Sequence, residues 1–208
     1  MPFMRCRSDC SGIHRAAAAG GFTLIELLIT VAILAILVRV AAPSMRDMIV
    51  NGRLQGTSSD LVADLSLARG TAAAKGQRVT ICQSSDGATC TGGSLWQSGW
   101  IVFVDGNSNG TFESANDTLI KVHEAVNSSV TVAPYSATGT PPTLSSANTS
   151  ITSVRYRPSG PTTNTAAIGF RVCQSGFVYR DVVVSGLGRV SASVSTLRAT
   201  AQSTTVCS

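Results

Sequence analysis

Histidine is nearly absent from this chain, and its scarcity excludes most metal and acid–base chemistry. Two of the 208 residues are histidine, and only His123 lies beyond the first 21. None of the six cysteines sits in a Cys-x-x-Cys pair. Structural zinc needs four nitrogen or sulfur ligands at close spacing, so a zinc site is excluded. No strand-to-helix nucleophile elbow or oxyanion motif accompanies His123, which leaves a Ser–His–Asp arrangement without support. The chain is not read as an enzyme, and no catalytic residue is assigned. No internal repeat is present either. Basic residues thin out in the middle, where residues 79–150 hold Lys121 alone against Asp86, Asp105, Glu113, Asp117 and Glu124, a net of −4. Acids are as scarce at the end: residues 151–208 hold Asp181 alone against six arginines, a net of +5.

The chain is rich in one thing, an apolar run over residues 22–38 that follows Gly20-Gly21 and carries a single acid, Glu26. An ionised carboxylate at the centre of a membrane helix costs about 2.5–3.5 kcal/mol, so such a residue has a functional reading by default. A cut between Gly21 and Phe22 would place a new α-amino group one helical turn from Glu26, where cation and carboxylate can meet. A secretory signal peptide is the first competing reading, with Arg5, Arg7 and Arg15 as its basic region and Val40-Ala41-Ala42 as its cleavage site. It leaves an acid inside the apolar region and puts Pro43 just after the cut. A plain anchor is the second, since about 20 apolar residues span a bilayer. It leaves Gly21, Phe22 and Glu26 together unexplained.

The segment Gly21-Phe22-Thr23-Leu24-Ile25-Glu26-Leu27 resembles the processing site and N-terminal helix of type IV pilins and type II secretion pseudopilins, over residues 21–43. That resemblance implies cleavage after Gly21 by a prepilin peptidase and methylation of Phe22. It also gives Glu26 a role in assembly and implies a single-pass inner-membrane protein with its C-terminal part in the periplasm. Further residues resemble the GspH/FimT branch of minor pilins and pseudopilins. They are Leu67-Ala68-Arg69-Gly70, residues 75–82, Trp96, residues 100–105 and Ser185-Gly186-Leu187-Gly188-Arg189. The branch implies two β-sheets behind the helix and assembly with other pilins into a filament, in either a type IV pilus or a type II secretion pseudopilus.

The chain reads as α+β, a long N-terminal helix packed on an antiparallel two-sheet β domain. The expected parts are a leader over 1–21, a transmembrane assembly helix over 22–43, an amphipathic half over 44–76 and a periplasmic β domain over 77–208. Met45, Met48, Ile49, Leu54, Leu61, Leu65, Ala68 and Ala72 recur at helical spacing. Pro43 should kink or break the helix, Gly52 and Gly56 should weaken it, and Gly76 should stop it. Strands are expected near 79–82, 100–104, 119–122, 130–132, 153–156, 167–172, 177–183 and 189–191. Residues 136–150, rich in Ser, Thr and Pro, read as a long loop.

If the leader is removed, Cys82, Cys90, Cys173 and Cys207 remain, an even number in an oxidising compartment. Of three connectivities, Cys82–Cys90 and Cys173–Cys207 are favoured. Asp105, Asn107 and Asn109 with Gly110 match the first half of a calcium loop. Asn116 stands where the bidentate Glu belongs, so only Glu113 and Asp117 are left to complete an irregular site. A plain Asn/Gly hairpin turn is the favoured reading, and no other cofactor is implied. The basic end is either an electrostatic footprint for a polyanion or a set of solvated arginines. In FimT-type minor pilins a Gly-Arg-x-Arg element is associated with DNA capture, which makes Arg189 the first DNA-binding candidate, followed by Arg198, Arg155 and Arg157. Here Gly188-Arg189-Val190 is followed by Ser191.

Overall fold

The computed structural model describes residues 21–139, 142–163 and 166–198, apart from the side chains of Pro43 and 196–198. It divides into two compact units, Met1–Pro43 and Ser44–Ser208. Helix α1 spans Leu24–Lys75. Thr23 caps its start, because its Oγ1 accepts the Glu26 backbone N–H at 3.3 Å and its carbonyl accepts that of Leu27 at 3.1 Å. This is half of a Thr-x-x-Glu capping box. Gly76 ends the helix at φ +64, a left-handed conformation that glycine adopts without strain.

Of the kink or break expected at Pro43 the break does not occur, and the helix also passes through Gly52 and Gly56. Proline removes one N–H and crowds one carbonyl, which is a local penalty. Beyond it, Val50, Leu54, Leu61, Leu65, Ala68 and Ala72 are all buried on one stripe, and that packing outweighs propensity. A Cβ at Gly52 or Gly56 would meet no atom, so these glycines weaken only the exposed side.

Among the described residues nine strands follow the helix: β1 Val79–Gln83, β2 Trp100–Val104, β3 Thr118–His123, β4 Thr131–Thr138, β5 Thr143–Ala147, β6 Ser153–Tyr156, β7 Ile168–Cys173, β8 Val178–Val184 and β9 Val190–Arg198. They form two sheets, ordered β3-β2-β1-β6 and β5-β4-β7-β8-β9, with every pair antiparallel. The expected loop over 136–150 is wrong over 136–138 and 143–147. Strand β4 runs to Thr138, and β5 pairs with it along an edge. Uncharged Ser and Thr suit a half-exposed edge strand as well as they suit a loop. Pro134 is tolerated inside β4 because β5 covers that strand only from Tyr135 onward.

One core joins the buried stripe of α1 to both sheets: Leu61, Leu65 and Ala68 cluster with Val79, Ile81, Trp96, Val102, Phe170 and Val182. Strands β1 and β2 are buried at every position. Their outer faces form a second cluster, Cys82, Ile101 and Phe103, covered by Cys90 and Phe112. Two helix acids four residues apart fasten α1 to β2 and β3. Asp64, buried, accepts the Trp100 indole N–H at 2.8 Å and pairs with Lys121. Asp60 lies 3.6 Å from His123 Nε2, and the His123 ring stacks on Trp100 with centroids 3.8 Å apart. Asp64→Ala leaves a buried indole N–H without an acceptor, so unfolding stability should drop by about 2–3 kcal/mol. Asp64→Asn, which keeps an acceptor, should lose distinctly less. Denaturant midpoints would measure both, and equal losses would mean that the indole bond contributes little.

Candidate functional site

At the start of α1, apolar side chains face outward along the whole first half. Phe22 is 85% exposed, and Leu24, Ile25, Leu27, Leu28, Leu34 and Leu37 are all exposed. An 18-residue window here has a mean hydropathy of 2.6 with none of it buried, enough by length and composition to cross a membrane. Glu26, in the first turn, is the acid of this stretch. A carboxylate there also complements the positive end of the helix dipole. A Cβ at Gly21 would meet no atom, so the fold does not demand glycine at that position.

The disulfide Cys82–Cys90 forms as expected. Asp86 organises the loop it closes, accepting the N–H groups of Ala88 and Thr89 and the hydroxyls of Ser84 and Thr89. The Ala88 N–H foremost, then the Thr89 and Ser84 donors, hold the Asp86 carboxyl far below the usual range. Because its folded pKa is depressed, this contribution is present above the unfolded value of about 3.9 and is lost as pH falls through the folded one. Cys173 is also disulfide-bonded. Its expected partner, Cys207, lies outside the described residues. Peptide mapping without reductant should recover Cys82 joined to Cys90 and Cys173 joined to Cys207, whereas Cys173 joined to any other cysteine would refute the second pair. Replacing Cys82 and Cys90 by serine should lower stability by about 2–3 kcal/mol.

The calcium candidates Asp105, Asn107, Asn109, Glu113 and Asp117 fall in the β2–β3 connection, but their oxygens do not converge. Glu113 is surrounded by amide nitrogens of Asn107, Asn109 and Asn116. The Asn107 and Asn109 oxygens instead accept backbone N–H groups of the loop. Asp117 accepts the N–H groups of Gly106 and Glu113, and Asp105 accepts Thr80 and Gly110. Among the described residues no group of three or more His, Cys, Asp or Glu is placed to hold a metal ion. Of the candidate carboxylate oxygens, Asp105 Oδ1 is buried without a hydrogen-bond partner, while Asp105 Oδ2 and the oxygens of Glu113 and Asp117 are taken up by neighbouring donors.

The same connection spells Gly-x-Ser-x-Gly at 106–110, a match that sequence reasoning passed over, and Ser108 sits at φ +63. It joins two strands rather than a strand and a helix. His123 pairs with Trp100, at the end of the β2–β3 hairpin away from Ser108. Its Nδ1 lies 2.8 Å from the Glu124 carbonyl. Serine and histidine are thus not brought together.

The four arginine candidates are dispersed. Arg155, on β6, lies over Gly110, where a Cβ would stand 2.8 Å from its guanidinium. Arg157 falls just past β6, but the pairing continues there: its N–H donates to the Pro161 carbonyl and the Arg155 carbonyl accepts the Thr163 N–H, both at 2.9 Å, so Arg155 and Arg157 flank the Tyr156–Thr162 bridge. Arg189 precedes β9 and Arg198 ends it, roughly 30 Å away at 3.3 Å per residue. Of the other C-terminal arginines, Arg171 pairs with Asp181 at 2.8 and 2.9 Å and stacks against Tyr135 and Tyr179. Arg189 shares a cleft with Arg69, a helix residue that was not a candidate.

Comparison with known proteins follows these features closely. The family profile described as type II transport protein GspH matches residues 57–188, and the prokaryotic N-terminal methylation motif matches residues 17–38. The chain belongs to the GspH family. Among solved structures it is similar to the type IV minor pilin FimU of Pseudomonas aeruginosa in two crystal forms. One has a TM-score of 0.51 at 16% identity, covering 76% of this chain and 97% of that one. The other has a TM-score of 0.50 at 16% identity, covering 74% and 99%. This likeness shows the shared fold. No curated protein matches the sequence. A GspH-family chain with a methylation motif is a pilin-like subunit of a pilus or secretion machine, and its family assembles with other pilins.

Four residues of this GspH-family chain escaped sequence reasoning. The Thr23 cap was legible as Thr-x-x-Glu ahead of an apolar run. Asp60 and Asp64 stand at i and i+4 on the amphipathic half, which signals one face but not its partner. Arg69 carried no signal beyond its family word, because only the fold brings residues 158–160 and 188–190 to its side.

Proposed function

We propose that the protein is cleaved between Gly21 and Phe22 by a prepilin peptidase, methylated at Phe22, and assembled through the first half of α1 into a type IV pilus or type II secretion pseudopilus. In this reading the subunit waits in the inner membrane with the β unit in the periplasm. The observation that carries it is a fully exposed apolar half-helix with one acid in its first turn, preceded by a glycine that the fold does not require. A glycine unconstrained from within answers to recognition from outside. Glu26 neutralises the Phe22 amine in hydrocarbon, where either charge alone is expensive. The pair then fixes axial register between neighbouring helices. Contacts in such a filament are heterologous and repeat head to tail. Intact mass measurement of the protein from membranes tests the reading. An N-terminus at methylated Phe22 is expected, and one at Met1 or beyond Pro43 would overturn it.

A further inference from the structure

A cleft of about 570 Å³ lies between the second half of α1 and two turns, with Ser66 and Arg69 on one wall and Ser159, Gly160, Gly188 and Arg189 on the other. No acidic residue lines it. Among the described residues neither arginine pairs with a carboxylate. The walls are built tightly. A Cβ at Gly188 would stand 2.1 Å from the Gly160 carbonyl oxygen and 3.2 Å from the Tyr156 ring, and both glycines have positive φ. The turn before β9 is locked by Ser185, whose hydroxyl accepts the Arg189 N–H at 3.1 Å and whose carbonyl accepts that of Gly188 at 2.8 Å. The hydroxyl of Tyr156, a residue with no exposed surface, has no hydrogen-bond partner, a rare condition for a buried donor. Burial pushes its pKa up, against the pull of the nearby Arg69 charge. Tyr156 does not itself line the cleft; the two unpaired guanidinium groups with the Ser66 and Ser159 hydroxyls describe a site short of an anion.

We infer that the cleft between Arg69 and Arg189 binds an oxyanion, and that its occupant in the assembled filament is a carboxylate side chain of a neighbouring subunit. Guanidinium forks match carboxylates geometrically. Charge complementarity selects the occupant: the acidic middle of the chain presents Glu124 exposed, while Asp86 and Glu113 are engaged within their own loops, so a second copy offers this chemistry. A head-to-tail array brings unlike surfaces together. Nucleic acid is the weaker fit, because a phosphate backbone needs a row of cations, and Arg155, Arg157 and Arg198 lie outside this cleft.

The inference rests on the pilin reading, and two measurements separate them. The first uses the full processed chain in nonionic detergent, following the arginine Nε–H NMR signals during titration with a hexaglutamate peptide and, separately, a single-stranded oligonucleotide. The Arg69 and Arg189 signals should shift saturably with the peptide and stop shifting in Arg69→Ala. No shift with the peptide, or a shift with the oligonucleotide alone, overturns the inference. The second scores sheared filaments. The double variant Arg69→Glu, Arg189→Glu should lose incorporation by about tenfold or more while its melting temperature stays near wild type, and Arg69→Lys, which keeps the charge without the fork, should fall between the two. Wild-type incorporation by the double variant overturns the neighbouring subunit as occupant. Absence of the wild type itself from filaments overturns the pilin reading instead, and leaves the peptide titration to judge the cleft.

Discussion

Gly21→Val should leave the whole population as a precursor, about 2 kDa heavier than the mature form, the mass of a 21-residue leader. The effect is expected to be close to all-or-none, because a branched side chain beside the scissile bond blocks access rather than weakening a contact. Misfolding would not explain it, since a Cβ at Gly21 meets nothing within 4 Å and the position lies outside the unit Ser44–Ser208. The precursor should therefore melt at the wild-type temperature. Immunoblots of membrane fractions distinguish the two species, and normal processing of Gly21→Val would place the cut elsewhere.

Glu26→Ala should leave the protein processed and membrane-bound but reduce its share in sheared filaments by about tenfold or more. A carboxylate in hydrocarbon costs about 2.5–3.5 kcal/mol unless matched, and the unmatched Phe22 amine of the variant inherits that penalty. A penalty of this size exceeds the 1.4 kcal/mol that corresponds to one decade. Glu26→Gln should behave nearly as badly, because an amide hydrogen-bonds to the amine without neutralising it. Wild-type incorporation of either variant would remove Glu26 from assembly. The Thr23 cap is not at issue, since the Glu26 backbone N–H rather than its side chain makes that bond.

Most of the fold was legible because its signals are local. The apolar run, the 54–61–65–68–72 stripe and Gly76 fixed α1, and the Val- and Ile-rich words located every strand except β5. Where reading failed, a local rule met a tertiary answer. Pro43 does not end the helix, since residues downstream are held by the core. Residues 143–147 lack β-branched apolar side chains, yet they find an edge to pair with. The site divides in the same way. Gly21, Phe22 and Glu26 are contiguous and therefore readable. The arginines mislead as a list of basic residues, because two ends of one strand and two separate sheets carry them. Arg69 and Arg189 are 120 positions apart, and no spacing rule joins them.

The order of strands has a kinetic consequence. Sheet β3-β2-β1-β6 takes its last member from beyond β4 and β5, which belong to the other sheet. As the chain is made from its N-terminus, β2 becomes available to β1 first, and the second edge of β1 has no partner until residues 153–156 are made. The first sheet therefore closes only through a contact about 75 positions apart, a distant pairing of the kind that folds slowly. Until then the Val79-Thr80-Ile81-Cys82 edge is a template for unwanted pairing. A nascent subunit held at the membrane by its own helix, apart from its fellows, passes through that interval with the fewest partners to mispair with.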